Sequence, residues 1–388
     1  MPPLDRRSVL AGAGAALVTS AGKPFAAPFD WPIASPAEAG MTGIEARLDR
    51  LIAAKRAWGL HGVVVARGGR VVLERYFEGV QNSWGWHLGR IQHGPATLHN
   101  LYSVTKSIVA LVYGAALAEG KVPPPDAPLY DQFPEYKGLL DAEPRRSERT
   151  IAHALTMTLG LKWDEILVPY DTPKNDEIGM EIANDRYRFI LERPVVGPPG
   201  KRWLYSGGAT ALIGRIIAKG TGRSLPDYAR AALFDPLGLG PTEWIVNKDT
   251  WVVAKYGPGD GEPVAASGLR MTPRDLARIG QMMLGRGTLD GRGILPAQWI
   301  DDCVTPRVSV DEQRRYGYQW YVGDFEYGTR DRPRLDRWIG CYGNGGQRLY
   351  VMPDLDLVIV VTAGNYGQPD QWLPPIRVVR EVVLPSIQ

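Results

Sequence analysis

Strand-like segments lie near both ends of this 388-residue chain, whereas its middle third has a mainly helical pattern. The β-branched runs His61–Ala66 and Arg70–Phe77 are separated by Gly68-Gly69, a spacing that predicts a hairpin. This order predicts an α+β fold in which both chain ends build one antiparallel sheet flanked by helices, with a mainly helical lobe inserted between them. The late strands are predicted at Tyr316–Val322, Arg348–Met352 and Leu357–Ala363.

Apolar periodicity and capping signals mark the predicted helices. Thr272 is a suitable N-cap, with Pro273 at the first position of a helix that runs through Leu284. We expect the α/β part at about residues 40–120 and 255–388, and the helical lobe at about 121–254. The other predicted helices are Ile44–Trp58, Ser103–Leu117, Ile151–Met157, Asp176–Leu191, Ala209–Lys219, Leu225–Leu233 and Leu373–Val383.

The first 27 residues have the pattern of an export signal. Arg6-Arg7 precedes the apolar run Val9–Val18, and small residues follow around Ala26-Ala27. Paired arginines favour a twin-arginine signal peptide over a Sec signal, and a single membrane anchor is the remaining alternative. The apolar run is shorter than the ~20 residues that a spanning helix needs. We therefore expect a mature chain of residues 28–388, not stably inserted in a membrane, in the periplasm or secreted.

Charge and cysteine content exclude several classes of protein. The formal net charge is only +3, and no basic run carries interleaved aromatic residues, so we expect no nucleic-acid partner. Two cysteines, Cys303 and Cys341, do not make a disulfide scaffold, and two buried free thiols are favoured over a disulfide. No Cys/His cluster or i,i+4 histidine pair occurs, and nothing calls for a cofactor, so the sequence predicts no metal and no cofactor.

Ser103 and Lys106 are the first candidates for chemistry. On a helix, residues three apart share a face, so the Lys106 amine can approach the Ser103 hydroxyl. A serine needs a base to become nucleophilic, and a lysine can serve when its surroundings favour the neutral amine. The apolar run Ile108–Val112 predicts that this helix is buried, and its N-terminus favours a developing alkoxide.

Two further segments could complete a site. Tyr205 follows a Pro199-Gly200 turn and precedes a helix, and its hydroxyl could carry a proton between a nucleophile and a leaving group. The segment Tyr342–Gln347 contains three glycines, which allow a ligand to approach the backbone and its N–H groups. Taken alone, Tyr205 is better explained as a buried tyrosine packed at a helix start, and an ordinary glycine-rich turn explains the second segment equally well.

In this order, Ser103-x-x-Lys106, Tyr205 and the glycine-rich segment resemble the serine β-lactamase and penicillin-binding protein superfamily. The resemblance is closest to the class C-related branch, which includes family VIII esterases and 6-aminohexanoate-dimer hydrolases, and it implies a β-lactamase-like fold. It extends from about Ile44 to Val383. The supporting segments are Thr150–Trp163, Ala265–Ala277 and Tyr316–Trp320.

The resemblance implies roles for these residues. Ser103 would be the acylated nucleophile, and Lys106 and Tyr205 would share the proton transfers in an order that the sequence leaves open. The backbone N–H groups of Ser103 and Gln347 would form the oxyanion hole. The residues expected to contact the substrate are Asn344, Gly345, Gly346, Gly207 and Trp163.

Two departures from the family pattern bear on the substrate. Gly207 stands where class C β-lactamases have the asparagine of Tyr-x-Asn, and Asn344 stands where they have the lysine of Lys-Thr-Gly. Losing that lysine removes a cation aimed at a substrate carboxylate. We therefore expect a small ester or amide without that carboxylate. Trp163, Trp203 and Trp338 could wall an apolar cleft or simply pack in the core.

Three functions remain in competition at this point. The leading prediction is a serine hydrolase that cleaves carboxylic esters or amides through a Ser103 acyl-enzyme. A β-lactamase or D,D-peptidase is the second, and Gly207 and Asn344 oppose it. A non-catalytic sensor with the same fold is the third, because a fold alone does not guarantee activity.

Overall fold

The predicted antiparallel sheet is present, and both ends of the chain contribute to it. A computed structural model describes residues 31–388, so the export signal predicted at 1–27 lies outside the described residues. The sheet has eight strands in the order β10-β11-β12-β13-β14-β15-β1-β2. Their bounds are β1 Leu60–Arg67, β2 Arg70–Tyr76, β10 Val308–Ser309, β11 Arg314–Tyr316, β12 Tyr321–Thr329, β13 Arg332–Gly343, β14 Gln347–Met352 and β15 Leu357–Ala363.

The hairpin of β1 and β2 turns through Gly68 and Gly69 as predicted. Both glycines have positive φ, at 59° and 70°, which a tight two-residue turn between twisted strands requires. On the other side of β1, Val63 pairs with Val361 of β15. This pairing joins the N-terminal hairpin to the C-terminal strands in one open sheet.

The sheet is covered on both faces, and alternate residues of β1 enter two different cores. Val64 and Ala66 pack on the face that also receives the buried helix after Ser103. Val63 and Val65 pack on the opposite face, against the first helix and the C-terminal helix. Burial on both faces explains why this strand reads as a continuous apolar run rather than an alternating one.

Helices occupy most of the predicted positions. The helix predicted from Thr272 and Pro273 is confirmed, because the Thr272 side chain accepts a hydrogen bond from the Asp275 N–H. Wider turns at Arg230–Phe234 and Val378–Val383 continue two of the helices. The bounds are α1 Ile44–Ala53, α2 Val104–Ala118, α3 Gly138–Ala142, α4 Ile151–Leu155, α5 Asp176–Ile182, α6 Arg186–Leu191, α7 Gly207–Thr221, α8 Leu225–Ala229, α9 Trp251–Tyr256, α10 Pro273–Leu284, α11 Ala297–Val304 and α12 Leu373–Arg377.

Two predicted elements are interrupted in the structure. The single helix expected over Asp176–Leu191 is divided, because Asp185 caps a new helix by accepting from the Arg188 N–H at 3.0 Å. The strand expected over Tyr316–Val322 is interrupted by a turn in which Gln319 has φ 62°. Both interruptions depend on side-chain caps and turns that a hydrophobic pattern does not report.

Short strands that the sequence did not indicate surround the sheet and the lobe. A second hairpin, β3 Glu78–Ser83 and β4 Trp86–Gln92, follows β2, and β5 leads directly towards Ser103. β5 pairs with β7. The remaining short strands are β5 His99–Asn100, β6 Glu243–Trp244, β7 Leu269–Met271, β8 Thr288–Leu289 and β9 Arg292–Gly293.

Two further expectations concern membranes and cysteines. Across residues 31–388, none of the helices combines the length and apolar character needed to cross a membrane. Cys303 and Cys341 are both buried free thiols, as predicted.

We expect the contact between α2 and α11 to be intolerant of one added methyl group. A Cβ at Gly114 would collide with the Trp299 ring, whose Nε1 donates to the Ala110 carbonyl at 3.0 Å. Gly114→Ala should lower the free energy of unfolding by about 1–3 kcal/mol, measured by urea denaturation. Gly138→Ala is the matched control, because space around Gly138 is open. Equal stability of the two variants would contradict this packing.

Candidate active site

Ser103 stands at the N-terminus of α2, where the chain enters from β5. Tyr102, immediately before it, has φ 46°, a left-handed conformation that is uncommon for a non-glycine residue and typical of strained functional positions. Lys106 lies one helical turn further on, and its Nζ donates to Ser103 Oγ at 3.1 Å. The predicted serine–lysine contact is therefore present in the folded chain.

Lys106 is buried, with 2% of its surface exposed. Its Nζ also donates to the Ala266 carbonyl at 3.2 Å and lies 4.0 Å from Glu165 Oε1. The same Nζ is 4.8 Å from the centre of the Tyr205 ring. An amine so enclosed needs polar partners on every side, because an unpaired buried charge is costly.

Tyr205 approaches Lys106 from the helical lobe. It lies just before α7, whose N-cap Ser206 accepts from the Ala209 N–H at 3.2 Å. Burial and the nearby Glu165 charge raise the pKa of Tyr205 well above its usual range, and its hydrogen bond with Ser103 acts in the opposite direction. The resting side chain is therefore a neutral phenol, able to pass a proton on rather than to hold a charge.

The glycine-rich turn lies against the segment that leads to Ser103. A Cβ at Gly343 would collide with the Leu101 carbonyl, so only glycine permits this approach. Within the turn, Gln347 Nε2 donates to the carbonyls of Asn344 at 2.9 Å and Ala363 at 2.7 Å. The side chain of Gln347 thus fixes the turn. The role of its backbone N–H in an oxyanion hole stays a prediction.

The predicted substrate contacts fall into two groups. In the turn, Asn344 Oδ1 accepts from the Gly367 N–H at 2.9 Å, and Gly345 N–H donates to Gln371 Oε1. Gly345 and Gly346 have φ 89° and 100°, which glycine alone adopts readily. These residues therefore form the turn in which Gly343 approaches the Leu101 carbonyl, and their contact with a substrate stays a prediction.

Gly207 and Trp163, the other two predicted substrate contacts, instead donate hydrogen bonds to Glu165. The Gly207 N–H donates to Glu165 Oε2 at 2.5 Å, and Trp163 Nε1 donates to the same oxygen at 2.6 Å. Both residues are buried. Their hydrogen-bonding groups are thus committed to Glu165.

The two other tryptophans have different surroundings. Trp338 packs with Phe325 and Tyr350 in the core on the opposite face of the sheet, so for this residue core packing is the correct alternative. Trp203 is only half-buried and lies 5.8 Å from the Tyr205 ring and 5.6 Å from the Tyr316 ring, measured between ring centres. Of the pair, Trp203 is the one beside the candidate site.

Sequence reasoning missed the two carboxyl groups nearest to Lys106. Glu165 follows Trp163 by two residues in a segment without regular structure, and Glu177 lies in the first turn of α5. Both are buried, with 1% and 2% of their surface exposed. The one signal in the sequence that could have found Glu165 is its position two residues after the family-like segment Thr150–Trp163. Glu177 has no such signal.

Three histidines lie together, although their spacing gave no metal pattern. His61 Nδ1 is 2.8 Å from His99 Nε2, and the His61 ring stacks on His93 at 3.9 Å. Burial lowers the pKa of His61 to about 2 and that of His99 to about 3, and it also lowers the pKa of His93. These imidazoles are neutral, which is the metal-binding form, but hydrogen bonding and stacking also account for the group. The absence of a bound metal, expected from the sequence, stays a prediction.

Comparison with known proteins identifies the family. Residues 44–375 match the Beta-lactamase family. A 6-aminohexanoate-dimer hydrolase of Paenarthrobacter ureafaciens is 24% identical over 328 residues, which is 79% of this chain and 73% of that protein. The chain belongs to the Beta-lactamase family, and it is a serine hydrolase. The family resemblance read from the motifs is confirmed.

Solved structures agree on the fold. A class C β-lactamase from Rhodobacter sphaeroides superposes with a TM-score of 0.62 at 20% identity, covering 87% of this chain and 97% of that one. EstCE1, a hydrolase with promiscuous acyltransferase activity, gives a TM-score of 0.62 at 16% identity, with 88% and 98% covered. At these identities the likeness concerns the fold, which confirms the β-lactamase-like architecture.

We expect the buried histidines to lower the free energy of unfolding as the pH decreases. Because the folded pKa of His99 is depressed, the unfolded chain takes up the proton first as pH falls below about 6.5. Between pH 7 and 5 this one site should cost about 2 kcal/mol of folding free energy, a loss that His99→Gln removes. Urea denaturation at both pH values measures it, with exposed His87→Gln as control. An unchanged pH dependence in His99→Gln would contradict the assignment.

Proposed function

We propose that this protein hydrolyses carboxylic esters or amides through an acyl-enzyme on Ser103. The observation that carries the proposal is the approach of Lys106 Nζ to Ser103 Oγ at 3.1 Å, with the ring of Tyr205 centred 4.8 Å from the same Nζ. A nucleophile within hydrogen-bond reach of a base is the arrangement that covalent catalysis needs.

In the proposed reaction, Ser103 Oγ forms a bond to the substrate carbonyl carbon while its proton passes to the Lys106–Tyr205 pair. The pair then protonates the leaving alcohol or amine as its bond to the carbonyl carbon breaks. Water attacks the acyl-enzyme, gives a proton to the same pair, and releases the acid when Ser103 recovers its proton. The backbone N–H groups of Ser103 and Gln347 are the proposed donors to the oxyanion.

An ester or amide without an anchoring carboxylate is the proposed substrate class. Asn344 takes the position of the family lysine, and its Oδ1 is occupied by the Gly367 N–H. The neighbouring cation Arg348 donates through Nη1 to the carbonyls of Gly343 and Gln347, so part of its hydrogen-bonding capacity is used within the turn. The 6-aminohexanoate-dimer hydrolase among the similar proteins supports the hydrolysis of an amide, whereas the lack of an anchoring carboxylate is argued from Asn344 and Arg348 alone.

Replacement of the nucleophile tests the proposal. With short p-nitrophenyl esters, matched p-nitroanilides and nitrocefin as substrates, Ser103→Ala should lower the favoured activity by at least ~10³-fold. Ser107→Ala is the matched control, since Ser107 lies one turn further along α2 and donates to the Gln319 carbonyl at 2.5 Å. Equal rates for Ser103→Ala and the unaltered protein would refute the role of Ser103. Nitrocefin turnover above ester and anilide turnover would refute the proposed substrate class in favour of a β-lactamase.

Export by the twin-arginine route is proposed on the sequence of residues 1–27 alone. Changing both Arg6 and Arg7 to lysine keeps the positive charge but removes the arginine pair, so it should abolish export of the folded enzyme. Fractionation of cells and immunoblotting of both forms measure the outcome. Undiminished export of the double variant would point to the Sec route, and retention of the unaltered chain inside the cell would refute export.

A further inference from the structure

Lys106 is enclosed by two acidic side chains that the proposed reaction has not used. Glu165 comes from the segment after α4 and lies 4.0 Å from Lys106 Nζ, and Glu177 comes from α5 and is close enough for the charge of Lys106 to act on its pKa. All three residues are almost fully buried. Carboxyl groups are rarely buried to this degree unless something pairs with them, so each needs an explanation.

Glu165 has the partners that a carboxylate anion needs. Its Oε2 accepts hydrogen bonds from Trp163 Nε1 at 2.6 Å and from the Gly207 N–H at 2.5 Å. Its Oε1 lies 3.4 Å from the Tyr170 hydroxyl and 4.0 Å from Lys106 Nζ. Three donors and one cation converge on this side chain, and such surroundings stabilise a negative charge.

Glu177 has the surroundings of a neutral acid. Its Oε2 is buried without a hydrogen-bond partner, and its Oε1 accepts only a long contact from Ser267 Oγ at 3.4 Å. Burial first, and then the charge of Glu165, raise the pKa of Glu177 well above its usual range, although Lys106 opposes this. A Cβ at Gly207 would collide with Glu177 Oε2. The absence of a side chain at 207 therefore makes room for this carboxyl group.

We infer that Glu165 is the positioning residue of Lys106, the third member of a Ser103–Lys106–Glu165 relay, and that Glu177 beside it stays protonated. This inference rests on the proposed function. When the serine proton arrives on the Lys106 amine, the resulting ammonium forms next to the Glu165 carboxylate, and no net charge is left buried. The same proton then leaves with the alcohol or amine. A base held in place by a third, charged group is the general arrangement of activated serine nucleophiles.

Other ionisable groups face Lys106 but are paired with one another or neutral. Glu181 is bound to Arg186 at 3.0 Å, and Arg186 also binds Asp260 at 2.8 Å. The phenol of Tyr321 on β12 has its pKa raised, chiefly by burial. Including Glu165 and Glu177, the groups around the amine are Glu165, Glu177, Glu181, Tyr205 and Tyr321.

The test follows acylation of Ser103 by a fluorophosphonate probe as a function of pH, in the unaltered protein and in Glu165→Gln. Removing the carboxylate favours the neutral amine, so the midpoint of the acid limb should move to lower pH by about 1–3 units. The maximal acylation rate should fall about tenfold or more, because the ammonium then forms without its counter-charge. Glu177→Gln is the matched control, since glutamine mimics the protonated acid, and its midpoint should stay in place.

A second variant keeps the test decisive if Glu165→Gln does not fold. Glu165→Asp retains the charge but draws it away from Nζ, so its midpoint should move in the same direction by a smaller amount. An acid limb that does not move in either variant would overturn the inference, as would an equal shift in Glu177→Gln. Failure of the unaltered protein to react with the probe at any pH would instead refute the proposed function, which separates the two claims.

Discussion

The contact between the buried Lys106 amine and the Ser103 hydroxyl is the interaction on which the candidate site depends. Burying an amine is costly unless hydrogen bonds and a counter-charge replace water. Here the Ala266 carbonyl and the Glu165 carboxylate supply those partners. The apolar helix α2 holds the lysine at that depth, so the same burial that stabilises the core also places a base beside a nucleophile.

The fold brings the other parts of the site to this contact from distant segments. The sheet supplies the turn that ends in Gln347, and the inserted lobe supplies Tyr205 and Glu165. The lobe is inserted between strands that pair across the whole chain, such as β1 with β15. The site therefore lies where lobe and sheet meet, and its assembly requires the complete domain rather than any one segment.

Sequence reasoning predicted the parts that depend on local pattern. The α+β organisation followed from strand runs at both ends, and Ser103, Lys106 and Tyr205 were predicted as the catalytic residues because their spacing and order resemble a known superfamily. Glu165 and Glu177 were missed because they become neighbours of Lys106 only through tertiary packing. The break of the predicted helix at Asp185 was missed for a related reason, since a capping hydrogen bond competed with apolar periodicity.

The central claim is that Ser103 carries the acyl group during turnover. Acid quenching of the protein during hydrolysis of a slowly turned-over p-nitrophenyl ester, followed by peptide mass spectrometry, tests it most directly. The account predicts that the peptide containing Ser103 gains the mass of the acyl group, at a stoichiometry that falls as substrate is exhausted. Turnover of the ester with the acyl group on another residue, or with no adduct while a burst of p-nitrophenol is observed, would contradict it.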